Sequence, residues 1–395
     1  MQTGAAGRLN FGPFSVDFDR CALWKGAQPV HLRPKTFDVL HHLAMRSGAV
    51  VPKATLIEAV WGGVAVSDDS LVQCIKELRL ALDDSEQAII KTIPRRGYLF
   101  AAETYRAQPS ARANVPVGQA IRFGWTRDGV RIAVSDAGEG APVLVTPSWF
   151  GHLEHDWRNP IVAPLLQMLC EGHRVVRFDI RGTGLSDRNV STFTLDELQA
   201  DCEAASSATQ LHRYALFGLS TTGTAIAVSH AVAHPDRVSK LILHGGFVHG
   251  RKRRNSGKDA EVSDALLTLL RHGWSDKTSP FLQMFASRYL PAGSRDQIDA
   301  MGELQERVTS SEIAARLWTF WNEIDLTELL PLIRVPTLVV HSRSNDVSPL
   351  SEGLRIASTI PNATLVVLDT ANHVPIPGEP AWGAFKDAVT GFLAS

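Results

Sequence analysis

The chain has 395 residues, 44% of them apolar and 21% charged, a balance ordinary for globular protein and sufficient for more than one packed core. Its formal net charge of −1 excludes wholesale polycation character, so any affinity for nucleic acid has to reside in a local basic patch. Cys21, Cys74, Cys170 and Cys202 are widely spaced with no CxxC, which argues against a disulfide framework and a thiolate zinc site, and no 18-residue apolar run is present to cross a membrane.

The N-terminal residues lack the apolar core of a signal peptide, so the protein is expected in the cytoplasm. Residues 9–32 alternate apolar and polar side chains between Gly12-Pro13 and Lys25-Gly26, which predicts a small antiparallel sheet. A first helix follows, with Phe37, Leu40, Leu43 and Ala44 on one face and Gly48 placed to end it. A second helix runs through residues 52–62. A third begins after Ser67 or Asp68, either of which suits an N-cap, and buries Leu71, Ile75, Leu78 and Leu82. Gln73, Lys76 and Arg79 then face away from that stripe. Two short β runs flank Pro94–Gly97 and predict a hairpin.

This succession resembles the C-terminal effector domain of OmpR-type response regulators, in the CadC-like branch without a receiver. The resemblance rests on Leu32-x-Pro34-Lys35-x-Phe37, Leu56-x-x-x-Val60-Trp61-Gly62, Leu78-Arg79-x-x-Leu82 and Arg96-Gly97-Tyr98-x-Phe100. It implies a winged helix-turn-helix domain on double-stranded DNA, with the third helix in the major groove and the hairpin at the backbone or minor groove. The groove-facing positions carry Asp69, Gln73, Cys74, Lys76 and Arg79. Gln73 is suited to adenine, and Lys76, Arg79, Lys91, Arg95 and Arg96 to phosphate. Asp69 and Glu77 stand where basic residues are frequent, which favours binding as a homodimer.

The domain is expected to span residues 1–104. Residues 105–118, polar and carrying Pro109 and Pro116, read as a linker, and a second domain spans 119–395. There, a strand pair turns at Asp128-Gly129, and β-branched runs alternate with helical patterns, the signature of a mostly parallel sheet covered by helices. Residues 247–330 interrupt the alternation with helices and read as a cap. Residues 249–259 are strongly basic, which as a default describes a solvated loop.

Gly218-Leu219-Ser220-Thr221-Thr222-Gly223 looks like a nucleophile elbow, and residues 178–187 (FDIRGTGLSD) are a second match to the α/β-hydrolase fold. Residues 146–160 resemble hydrolase domains that bacteria fuse to adenylate cyclase or winged-helix modules. The resemblance implies a triad of Ser220, Asp346 and His373, with the backbone N–H groups of Thr221 and Trp149 as oxyanion hole. Trp149, Phe150, Phe285, Trp318 and Trp321 are candidates for an apolar pocket. The sequence departs from the family at Thr222, where glycine is usual, and at Pro147-Ser148, which replaces His-Gly. A β-branched Thr222 predicts strain in a tight turn.

Neither metal nor cofactor is expected. The expected function is a DNA-binding transcriptional regulator whose hydrolase-fold domain senses, and slowly hydrolyses at most, a small and mainly apolar ligand. The alternative is an active serine esterase or lactonase, its substrate an ester or lactone, with the winged helix as tether or oligomerisation module.

Overall fold

The computed structural model describes residues 9–17, 22–25, 28–62, 68–102, 105–106, 119–254, 257–274 and 280–395. They divide between two compact units, Met1–Ala111 and Arg112–Ser395.

In the first unit the alternating N-terminal stretch folds as β1 (Leu9–Phe11), β2 (Phe14–Asp17), β3 (Ala22–Lys25) and β4 (Gln28–Val30), paired antiparallel in that order. Pro34, whose missing N–H costs nothing at a helix start, opens α1 (Pro34–Ala44). After β5 (Val50–Val51), α2 (Lys53–Trp61) stops at Gly62, which adopts the left-handed φ of +59° that favours glycine. The third helix, α3 (Asp68–Ala81), leads to the hairpin β6 (Ile90–Ile93) and β7 (Gly97–Phe100), and β7 also pairs with β5. The N-cap expected at Ser67 or Asp68 lies outside the described residues and side chains. Last comes β8 (Tyr105–Arg106), which pairs with β1 and so belongs to this unit's sheet and not to a free linker; residues 107–118 lie outside the described residues. Leu71, Ile75, Leu78 and Leu82 form the buried stripe of α3, packed with Phe11, Leu40, Leu56 and Phe100.

The second unit begins with β9 (Ala120–Trp125) and β10 (Arg131–Ala137), an antiparallel pair. Then follow β11 (Ala141–Thr146), α4 (Val162–Cys170), β12 (His173–Phe178), α5 (Leu195–Ala208), β13 (Tyr214–Leu219), α6 (Ser220–Ala233) and β14 (Val238–His244). Four helices come next: α7 (Gly257–Gly273), α8 (Phe281–Tyr289), α9 (Arg295–Val308) and α10 (Ser311–Glu323). The unit closes with β15 (Thr337–Ser342), α11 (Leu350–Thr359), β16 (Ala363–Leu368) and α12 (Pro380–Ala394). The strands form one eight-stranded sheet in the order β16-β15-β14-β13-β11-β12-β10-β9, parallel from β16 to β12. Strand periodicity sorts its side chains. Val143, Val145, Ala215 and Phe217 pack beneath α4 and α12, while Leu144, Tyr214 and Leu216 pack on the opposite face with α5 and α6. Helices α7 to α10 enter between β14 and β15, within the residues 247–330 read from the sequence as a cap. Among the described residues no helix is long and apolar enough to cross a membrane.

Candidate functional site

On the first unit, α3 and the β6–β7 hairpin both expose polar side chains. Asp69, Gln73 and Lys76 are exposed on the helix, and Lys91, Arg95 and Arg96 on the hairpin. The hairpin tip is tight: Arg95 has φ +62°, and the Arg96 N–H donates to the Ile93 carbonyl at 3.0 Å. Gly97 (φ +136°) sits so close to β5 that a Cβ there would lie 2.0 Å from the Val51 carbonyl oxygen.

Two residues expected to face DNA do not. Cys74 is buried, 8% exposed, because its position on α3 turns toward Thr36 of α1; the sequence reading counted it as polar surface. Arg79 is half-buried, and its guanidinium donates to the Ile90 carbonyl (2.7 and 3.1 Å) and to Thr92 Oγ1 (2.8 Å), tying α3 to the first hairpin strand. Glu77 accepts from Thr36 Oγ1 at 2.8 Å and pairs with Arg33 at 3.1 Å. The hydrogen bonds from Thr36 and Gln73 hold its carboxyl below the usual range. An acid at this position fastens α3 to α1, which explains its presence on a helix where basic residues are frequent.

In the second unit β13 runs directly into α6 through Ser220, which has φ +63°. Such a conformation is strained for a side-chain-bearing residue and lifts the hydroxyl off the end of the strand. The turn fits because its flanking glycines have no Cβ. One on Gly223 would lie 2.2 Å from the Thr146 carbonyl oxygen, and one on Gly218 would lie 2.9 Å from that of Gly223. Strain falls on Ser220 alone. Thr222, expected to be strained, sits within the first turn of α6 without positive φ, because the chain has already turned one residue earlier. Its buried hydroxyl has no hydrogen-bond partner.

Ser220 Oγ lies 2.7 Å from His373 Nε2, and both residues are buried. The His373 backbone N–H donates to the carbonyl of Tyr289, the last residue of α8, at 2.7 Å. Its ring lies over Gly245, where a Cβ would come within 2.9 Å of Cε1. Burial, reinforced by His244 and His341, pulls the His373 proton affinity well below the ordinary histidine value. Burial likewise pushes His244 down to about 3.

The third member of the triad is not Asp346. That carboxylate is 66% exposed and accepts from Arg288 Nε and Nη2 at 2.9 and 2.7 Å. The side chain at His373 Nδ1 is Asn345, with Nδ2 at 2.9 Å and Oδ1 at 3.2 Å. Asn345 Oδ1 also accepts the backbone N–H groups of Val347 (3.0 Å) and Ser348 (3.1 Å), an Asx turn that aims this side chain inward and sends its neighbour outward. The resemblance to the family's acid loop led to Asp346. Asn and Asp both close such turns, and which of the two neighbours does so is decided here by the bonds to Val347 and Ser348 and by Arg288.

Both amide atoms of Asn345 lie within hydrogen-bond reach of Nδ1, so donor and acceptor there depend on the His373 tautomer. Because Oδ1 already accepts two backbone N–H groups, the arrangement favours Nδ2 as the donor; the ring proton would then sit on Nε2, facing Ser220, and the imidazole would be disfavoured as the base for the serine proton.

Two cavities flank this centre. One is bounded by Ser220, His373, Phe150 and Tyr289. The other lies toward the inserted helices and is bounded by Trp149, Thr221, Phe285, Trp318 and Trp321, again with Tyr289. All five aromatic pocket residues expected from the sequence therefore line one or the other. They also pack on one another: Trp149 lies 4.5 Å from Phe150, 6.0 Å from Phe285 and 6.1 Å from Trp318 between ring centroids. Among them stands Trp274, 5.5 Å from Trp149, which the sequence reading passed over because it sits alone in a polar stretch. Thr221 is the second residue of α6, next to the nucleophile, and Trp149 lies beyond the end of β11 and lines the second cavity together with Thr221. Among the described residues no cluster of three His, Cys, Asp or Glu side chains is arranged to hold a metal ion.

Comparison with known proteins divides at the same place. Residues 141–380 match the family described as alpha/beta hydrolase fold, and residues 27–100 that described as transcriptional regulatory protein, C terminal. A 2-hydroxy-6-oxononadienedioate/2-hydroxy-6-oxononatrienedioate hydrolase of Pseudomonas putida is 29% identical over 261 residues, 64% of this chain and 89% of that protein. The transcriptional regulator HilA of Salmonella typhimurium is 34% identical over 102 residues, 26% of this chain and 18% of that protein. A hydrolase structure from Pseudomonas aeruginosa PA01 superposes with a TM-score of 0.59 at 23% identity, covering 70% of this chain and 98% of that one, which shows a shared fold.

Proposed function

The chain belongs to the α/β-hydrolase fold family and carries a winged-helix transcriptional regulatory domain ahead of it, and from this premise we propose that it is a DNA-binding regulator whose hydrolase-fold unit is a small-molecule receptor. The observation that carries the reading is Asn345. A nucleophile held at 2.7 Å from its histidine, but with a neutral amide that favours the unproductive tautomer, suits a binding pocket better than a fast catalyst. Pro147-Ser148, in place of the family's His-Gly, points the same way. In this reading Gln73 reads a base edge, Lys76, Lys91, Arg95 and Arg96 engage phosphates, and Arg79 positions the hairpin instead of touching DNA. Two copies on adjacent half-sites would supply the affinity that one small reader lacks. The backbone N–H groups of Thr221 and Trp149 would hold a ligand oxygen.

The test selects bound sequences from random DNA with the full chain, then measures affinity for the selected site with and without a pocket ligand. A receptor changes its DNA affinity on ligand binding. An affinity indifferent to every pocket ligand would remove the sensor reading.

A second reading, a working serine hydrolase, is favoured by the short Ser220–His373 contact and by the names of the relatives. It requires multiple turnovers of a chromogenic ester such as p-nitrophenyl butyrate, lost in Ser220→Ala.

A further inference from the structure

The cap-side cavity has features that a purely apolar ligand would leave unused. Arg251 and Arg288 line it beside the aromatic wall, with side chains only 12% and 19% exposed. Trp321, 4% exposed, lines it too, and its indole N–H has no hydrogen-bond partner. A buried donor without an acceptor is costly and is uncommon in folded proteins.

The two guanidiniums are held but not saturated. Arg251 donates to Asp259 Oδ1 (3.2 Å) and to the Asp346 carbonyl (2.8 Å), and Arg288 donates through Nε and Nη2 to Asp346 Oδ2. A guanidinium has five N–H groups, and these bonds use two on each. Neither Asp259 nor Asp346 borders the cavity, and the Asp346 carboxylate is 66% exposed, so water screens it more than the arginines, whose side chains are 12% and 19% exposed. Arg254, with a buried Nη2 lacking a partner, adds a third cation nearby. Burial, then Arg288 and Arg254, pull the proton affinity of Arg251 down, as expected for a cation short of negative charge.

We propose that this cavity is a carboxylate-binding site: its ligand is a small organic monoanion whose apolar body lies against Trp149, Phe285 and Trp318 and whose carboxylate accepts from Arg251, Arg288 and the Trp321 N–H. Partial compensation by Asp259 and Asp346 suits a single charge better than a dianionic phosphate. The basic stretch at residues 249–259 thereby acquires a role, since it delivers Arg251 to the pocket wall. The proposal rests on the receptor reading, but it is decided by ligand binding alone; DNA affinity serves only to separate its failure from that of the receptor reading.

The full-length protein is titrated with 1-naphthylacetate and with its neutral isostere 1-naphthylacetamide, followed by tryptophan fluorescence and calorimetry. The acid is expected to bind at least about tenfold more tightly than the amide, the gain typical of a charge-assisted bond. Arg251→Met should bring the acid to the amide's affinity and leave the amide unchanged. Trp321→Phe, which keeps the ring and deletes the N–H, should weaken the acid alone by about two- to fivefold. Equal affinity of acid and amide in the unaltered protein, absence of acid binding at about 5 mM, or an acid preference that survives both substitutions would each overturn the proposal. If Arg251→Met does not fold, the acid-to-amide ratio and Trp321→Phe decide. Acid binding as described with unchanged DNA affinity keeps this site and removes the sensor reading; acid–amide parity with a DNA response does the reverse.

Discussion

Replacing Asn345 with Asp should switch the hydrolase centre on. The substitution is nearly isosteric, and a carboxylate oxygen can take over the Val347 and Ser348 N–H bonds that now reach Oδ1. The other oxygen would then occupy the position of Nδ2, 2.9 Å from His373 Nδ1, as an ionised acceptor where a donor now stands. That moves the ring proton to Nδ1 and frees Nε2, 2.7 Å from Ser220 Oγ, to accept the serine proton. In serine proteases the reverse change lowers turnover by about 10⁴-fold, or roughly 5.5 kcal/mol of barrier. The Pro147-Ser148 loop remains unaltered, so we expect a smaller gain, about a hundred- to a thousandfold in kcat/KM for p-nitrophenyl butyrate. The pH profile gives an independent sign. In the natural protein His373 has a lowered proton affinity, so the ring stays neutral well below its ordinary pKa and fluorophosphonate labelling of Ser220 should vary little across the mildly acidic range. A carboxylate at position 345 stabilises the imidazolium, raises that pKa, and moves the acid limb of labelling to higher pH. A folded N345D protein with unchanged esterase rate and unchanged acid limb would refute the assignment of Asn345 as the brake.

Other expectations can be checked directly. Arg95→Ala and Arg96→Ala should weaken DNA binding across sequences and each lower the salt slope by about one, whereas Gln73→Ala should relax one base position by about 1–3 kcal/mol; wild-type behaviour of all three in gel-shift titrations would show that this surface does not dock. Arg79→Ala should lower the first unit's urea midpoint, since it removes three bonds to the hairpin, and a loss of DNA affinity without that shift would mean that Arg79 touches DNA after all. Ser220→Ala should abolish fluorophosphonate labelling and shift the dose of a pocket ligand by about tenfold or less, because a hydroxyl contributes about 0.5–1.5 kcal/mol; complete loss of the DNA response with ligand still bound would restore the enzyme reading. Gly223→Ala should destabilise the second unit by about 1–3 kcal/mol or more, since its Cβ would meet the Thr146 carbonyl at 2.2 Å, and an unchanged denaturation midpoint would show that the elbow can open there.

What the sequence revealed was periodicity and spacing. The stripe Leu71, Ile75, Leu78 and Leu82 located α3, and the elbow glycines located Ser220 between strand and helix. Side-chain direction was harder to read wherever a local hydrogen bond decides it. Adjacent residues at 345 and 346 point opposite ways because one closes an Asx turn and its neighbour meets Arg288. Arg79 resembled a phosphate ligand because its carbonyl partner at Ile90 belongs to a separate strand, brought close only by tertiary folding. The basic stretch at 249–259 read as solvated, and Arg253 is exposed, yet Arg251 is only 12% exposed and Arg254 donates to the His249 carbonyl from a half-buried position. Charge in a sequence announces solubility; only the fold tells which charges are turned inward.

The bond from the His373 N–H to the Tyr289 carbonyl joins the catalytic loop to the end of a cap helix. Tyr289 also borders both cavities. A ligand whose entry displaced α8 would therefore pull on the backbone that carries the imidazole. A probe that reports the environment of His373, such as its ring proton resonance, would then register the filling of a cavity whose wall lies a helix away.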